Sequence, residues 1–287
     1  MPGPGGYRHR EGMLPGAVAS AVAYETRDHP TGSHRGLPSP WITFIVSVDD
    51  PVRVSGTVAE GDGFDPARAT AYDVMVAGLH PVAARVEQPA DQQGVQLAVH
   101  PLAARSVLGC RAGELLGPGD HGHEVLGKAA RELHERVGSR STGEERLDVV
   151  QDWLRRRADP LHGSGVRPEI WRAWQLAQAS DGRCRVEDLA ADVLLSPRQL
   201  RTLMVAELGL SPKQLLRVFR FHRVVALLAR GEETLASVAA STGYADQSHL
   251  THEFRRMAGC SPSTWLEEER RNIQDGGYRN RPDWPHE

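Results

Sequence analysis

Val186-Glu-Asp-Leu-Ala-Ala-Asp-Val-Leu-Leu-Ser-Pro-Arg-Gln-Leu-Arg-Thr-Leu-Met204 and Leu235-Ala-Ser-Val-Ala-Ala-Ser-Thr-Gly-Tyr-Ala-Asp-Gln-Ser-His-Leu-Thr-His-Glu-Phe254 share one internal pattern. Each reads as a short helix ending in an apolar-small pair, Leu189-Ala190 or Val238-Ala239, then a tight turn. A second helix then begins at a good N-cap, Ser196 or Asp246. Two short helices that cross steeply need a small side chain at the crossing, which the alanines supply. Leu200 with Met204, and Leu250 with Phe254, recur at i, i+4 and form the buried stripe of each second helix. Gly243 lies in the second turn, where a positive φ is expected. Leu194 stands at the equivalent place in the first copy, which predicts a different backbone path there.

One helix pair of this kind occurs in ordinary bundles. Two copies about fifty residues apart, with a long helix between them, are the pattern of a tandem helix-turn-helix protein. The polar face of the first copy offers Arg198, Arg201 and Thr202, and that of the second Gln247, Ser248, His249, Thr251 and His252. These are donors and acceptors with which base edges in a major groove are read, and Arg is suited to guanine O6 and N7. Ser196, Ser211, Arg217 and Arg255 lie at helix starts or along the linking helix and are assigned to phosphates.

The stretch Ala239-Ala-Ser-Thr-Gly-Tyr-Ala-Asp-Gln-Ser-His-Leu-Thr-His-Glu-Phe-Arg-Arg-Met-Ala-Gly-Cys-Ser-Pro-Ser-Thr-Trp265 resembles the terminal signature of the AraC/XylS family of bacterial transcription regulators. The resemblance covers residues 168–270, about the last third of the chain. It implies seven helices in two subdomains joined by a central helix, here Pro212 to Ala229 capped by Ser211. Two positions depart from the family pattern: Ala245-Asp246 replaces a usual Phe, and His252 stands where Arg is frequent.

The remaining chain reads differently. Residues 1–18 are rich in Gly, Pro and charge and are expected to be disordered. A β-rich sensor or dimerisation domain is expected over 19–158, with strands at Trp41–Val48, Val52–Val58, Ala71–Ala77, Ala83–Val86 and Gly94–His100. Helical spacing follows at Ala103–Leu108, Val125–Val137 and Glu144–Arg157. Residues 159–167 read as a linker that few contacts cross, and 271–287 as a loose tail. The fold class is therefore α+β: an N-terminal sandwich or cupin-like barrel, then an all-α domain with two helix-turn-helix motifs.

Composition bounds the rest. The net charge is −3, and residues 168–270 hold thirteen basic and thirteen acidic side chains, so the DNA-binding reading rests on local field rather than bulk charge. Arg198, Arg201, Lys213, Arg217, Arg220, Arg223 and Arg230 lie in one stretch opposed only by Glu207. No run of about twenty apolar residues occurs, the N-terminus lacks the order of a signal peptide, and a cytoplasmic protein is expected. Cys110, Cys184 and Cys260 form no recognisable disulfide or zinc spacing. No catalytic residue, cofactor or metal is assigned. A competing reading, a metal-binding or enzymatic cupin-like sensor fused to a helical interaction module, would draw on His121-Gly-His123-Glu124. Candidate partners are double-stranded DNA, a small-molecule effector, a second copy of the chain and, for an activator, RNA polymerase; no membrane partner is expected.

Overall fold

The structure is a computed structural model that describes residues 6–59, 63–115, 117–157, 165–231 and 233–269. Among the described residues, the N-terminal part carries ten strands: β1 (Gly6–Leu14), β2 (Val18–Thr26), β3 (Gly32–Gly36), β4 (Ile42–Ser47), β5 (Val52–Thr57), β6 (Thr70–Tyr72), β7 (Val74–Ala77), β8 (Ala84–Gln88), β9 (Gln92–Val99) and β10 (Asp120–His121). They form two antiparallel sheets, ordered β1-β2-β9-β4-β7-β10 and β3-β8-β5-β6. Helices α1 (Ala104–Val107), α2 (Gly122–Leu126), α3 (Lys128–Gly138) and α4 (Gly143–Arg157) accompany them.

Alternation along the larger sheet decides what lies on either side. Ala21, Ala23, Ile42, Phe44, Val46, Val95, Leu97 and Val99 share one face by register. They are buried with Leu133, Val137, Leu147, Val150, Trp153 and Leu154 of α3 and α4. That face is uniformly apolar, which is what a helix-covered sheet face requires. The opposite face carries Ser20, Tyr24, Thr43, Ser47 and Gln96 among its apolar residues, and it looks across a cavity toward the smaller sheet.

Residues 6–14 correct the expectation of a disordered start. β1 pairs with β2 from Gly6↔Glu25 to Leu14↔Val18. Its side chains are mostly half-exposed, so no hydrophobic alternation announces it. The strand is held by its ladder and by Arg10, whose guanidinium reaches Glu144 and Asp148 on α4 at 2.7 Å each. The expected helix at 125–137 is split into α2 and α3 by Gly127, whose φ of 61° ends the first. Residues 159–164 of the expected linker and the expected tail at 271–287 lie outside the described residues.

The C-terminal part has seven helices among the described residues: α5 (Pro168–Ala179), α6 (Val186–Asp192), α7 (Pro197–Leu208), α8 (Pro212–Arg230), α9 (Leu235–Ser241), α10 (Gln247–Ala258) and α11 (Pro262–Glu268). Ser196-Pro197, Ser211-Pro212 and Ser261-Pro262 place Ser at the N-cap and Pro at the first helical position of α7, α8 and α11. One core built on Trp174, Phe219, Phe221, Phe254 and Trp265 runs through the helices, and α8 contributes nine buried residues to it.

That core does not stop at the expected linker. Leu37, Leu79, Ala83 and Leu102 from the β-rich part belong to it. Trp41 packs edge-on against Trp174 at 6.3 Å, and Trp174 against Phe219 of α8 at 5.0 Å. His100 sits between Trp41, Trp171 and Trp174. The expectation that few contacts cross the border is therefore corrected. Isolated apolar residues such as Leu37 and Leu79 give no periodic signal of the surface on which they will be buried.

Candidate nucleic-acid interface

Both helix-turn-helix units use the same local devices. Ala190 and Ala239 are buried at the helix crossings. The turns close alike: Leu195 N–H donates to Ala190 C=O at 2.9 Å, and Tyr244 N–H to Ala239 C=O at 3.0 Å. Leu194 takes φ 55° and Gly243 φ 80°. The first turn thus follows the same left-handed path as the second, which corrects the expectation of a different one. The hydrogen bond across the turn fixes the backbone, and Leu194 bears the strain with its side chain 92% exposed.

The two second helices, α7 and α10, are each twelve residues long. Leu200, Met204 and Leu208 bury one stripe of α7, while Leu250, Phe254, Met257 and Ala258 bury that of α10. Arg198, Arg201, Thr202, Gln247, Ser248, His249 and His252 are all exposed, in the first half of their helices. Asp246 caps α10 by accepting from His249 N–H at 2.7 Å, and the His249 ring meets Tyr244 edge-on at 5.2 Å. Thr202 Oγ1 donates to Arg198 C=O at 3.1 Å.

The residues assigned to phosphates divide. Arg255 is exposed on α10. The Ser196 and Ser211 hydroxyls are engaged in capping boxes with Gln199 and Gln214, donating at 2.8 and 2.7 Å. Arg217 faces inward: its Nε donates to Glu253 Oε2 at 3.1 Å, and the two side chains are only 15% and 12% exposed. A guanidinium held there does not reach a phosphate, so Arg217 joins α8 to α10 instead. The Tyr244 hydroxyl donates to the other oxygen of Glu253 at 2.9 Å. Burial and that carboxylate push the Tyr244 phenol well above its ordinary range, so it remains a donor. This network eluded the sequence reading because Arg217, Tyr244 and Glu253 share no spacing. Arg220 approaches Glu253 and Arg223 approaches Asp181, at 3.9 and 4.0 Å. Arg198, Arg201, Lys213, Arg255 and Arg256 carry no ion pair among the described residues. The cationic surface is thus narrower than the run of basic residues suggests, and Arg256 is a contributor that the sequence reading passed over.

In the β-rich part a cavity of about 290 Å³ lies between the sheets and reaches His222 of α8 and Glu269 after α11. Its charged residues are largely matched: Arg53 pairs with Glu87 at 3.1 Å, and Arg35 with Glu268. The His121 and His123 rings lie 5.0 Å apart and tilted by 44°, with Tyr72 against His121 at 4.6 Å. No group of three His, Cys, Asp or Glu among the described residues is arranged to hold a metal ion. Burial pushes the Cys110 thiol up to about 11, which leaves little thiolate. Cys260 packs against the helical core. No described helix is long and apolar enough to cross a membrane.

Residues 189–268 match a family model described as a helix-turn-helix domain. A protein of Streptomyces lividans described as an AraC-like transcription regulator is 29% identical over 140 residues, 48% of this chain and 38% of that protein. One of Streptomyces antibioticus with the same description is 27% identical over 121 residues, 41% of this chain and 37% of its own length. The helix-turn-helix region of the chain is similar to these AraC-like transcription regulators. The matched residues run from α6 to α11 and include α8, which joins the two helix-turn-helix units. The matches span less than two fifths of the length of these relatives. ToxT of Vibrio cholerae aligns with 91% of this chain and 97% of its own at 11% identity, with a TM-score of 0.49.

Proposed function

We infer that the protein is a sequence-specific DNA-binding transcription regulator whose β-rich domain senses a small molecule. The observation that carries this reading is the pair of equal-length helices α7 and α10, each presenting an exposed polar half on a shared core. Such helices lie in successive major-groove segments of one DNA face. Arg198, Arg201 and Thr202 read the first segment, and Gln247, Ser248, His249 and His252 the second. Arg255, with Lys213 and Arg256, neutralises phosphates, and the helix N-termini at Ser196 and Ser211 offer backbone N–H groups to them. The cavity between the sheets, with hydroxyls and amides on one wall, suits a small polar effector. Because His222 and Glu269 border it, an occupant would touch the helical C-terminal part directly.

The test is selection of bound sites from random duplexes by the full chain, followed by a salt titration on the enriched site. One asymmetric bipartite site is expected. With Lys213, Arg255 and Arg256 assigned to phosphates, the slope of log K against log salt should be about −2.7. Recovery of random sequence with equal affinity for every duplex would remove the reading.

A further inference from the structure

The β-rich domain grips both recognition helices at matching places. Gly209 and Gly259 are the left-handed C-caps of α7 and α10, with φ of 77° and 76°. Both caps lie close against the β-rich part: a Cβ added at Gly209 would lie 3.4 Å from Gly113 Cα, and one added at Gly259 would lie 2.7 Å from Val58 Cβ. Two residues before each cap there is a second tie. Glu207 accepts a two-pronged contact from Arg105 of α1, at 3.1 and 2.8 Å. Met257 C=O accepts from Ala83 N–H at 2.7 Å. Gly113 itself has no room for a side chain, since a Cβ there would lie 2.7 Å from Ala206 O.

These ties are at the C-terminal ends, whereas the exposed polar side chains lie in the first halves of the same helices. The grip therefore leaves the reading face uncovered. What it restricts is rotation of one helix-turn-helix unit against the other about α8. We propose that Arg105, Gly113, Val58 and Ala83 form a two-point brace that fixes the angle between α7 and α10. These residues are then determinants of half-site spacing, although none of them touches DNA. The proposal rests on the DNA-binding reading above. Cost and geometry agree: a helix displaced by a few ångströms along the groove no longer meets the same base edges, so spacing is selected by the rigidity of the brace.

The experiment compares wild type with Arg105→Ala and Gly113→Ala. Each is challenged with the selected site and with duplexes carrying one base pair more or fewer between the half-sites. Wild type should lose roughly tenfold in affinity on altered spacing. Both variants should bind all three duplexes within about threefold of one another. Amide hydrogen exchange without DNA provides the second measurement, and faster exchange is expected at residues 205–209 in both variants. Should Gly113→Ala fail to fold, Arg105→Ala with Arg105→Lys carries the comparison, because Lys keeps the charge but loses the fork. Variants as strict as wild type, unchanged exchange, or tighter binding with unchanged spacing would each overturn the brace while leaving the DNA-binding reading intact. Wild type that enriches no bipartite site removes both.

Discussion

Leu194 and Gly243 hold the same left-handed turn position in the two helix-turn-helix units, one with a side chain and one without. A left-handed Leu costs about 1–2 kcal/mol, and replacing it by Gly returns part of that as unfolded-chain entropy. Leu194→Gly should therefore stabilise the protein by about 0.5–1 kcal/mol in urea unfolding. The reverse change should be unfavourable, because a Cβ at Gly243 would also lie 3.2 Å from the Arg183 side chain. A lower midpoint for Leu194→Gly would show that the exposed leucine has a role the turn does not reveal.

Glu253 accepts from both Arg217 and Tyr244 between α8 and α10. Glu253→Gln leaves a largely buried guanidinium without its counter-charge and should cost about 2 kcal/mol. Tyr244→Phe removes one neutral donor and should cost about 1 kcal/mol. Thermal unfolding of the two variants checks the order, and equal losses would contradict it.

Arg201→Ala should weaken binding to the selected site by about 1–3 kcal/mol and barely affect random DNA. Arg255→Ala should weaken both alike, because a phosphate carries no sequence information. The first half-site, read by two arginines, should contain guanine and dominate affinity. A base-substitution scan in which both halves lose affinity equally would reverse these assignments.

Acid sensitivity should centre on His100. Burial among Trp41, Trp171 and Trp174 lowers its pKa from 6.5 to about 3. The unfolded chain binds this proton more readily, so the contribution is complete above pH 6.5 and falls as the pH drops toward 3. The loss should approach about 1.4 kcal/mol per pH unit within that window. His100→Asn keeps an acceptor for Leu102 N–H, which the imidazole Nδ1 accepts at 3.1 Å, and removes the titration. A flatter stability profile between pH 6 and 4 is expected, roughly, for this variant. An unchanged slope would assign the acid sensitivity to other groups.

The sequence by itself determined whatever depends on neighbours within a turn or two. Ser196, Ser211 and Asp246 cap the helices expected of them, Pro212 opens the joining helix, and Leu200 and Phe254 lie on the buried stripes. The strands at Ile42–Ser47 and Val52–Thr57 were legible because their apolar residues fit a pleated, partly buried surface. The exposed candidate readers, Arg198 to His252, followed from the same periodicity. Only the tertiary structure decided the rest. It paired the charged β1 with β2, turned Arg217 inward to Glu253, bent Leu194 into a left-handed turn and set Gly113 against the end of α7. Each of these depends on a partner distant in the chain, or on a hydrogen bond whose gain exceeds a local strain. Periodicity and propensity report the preferences of a segment, and they carry no record of the surface against which it closes.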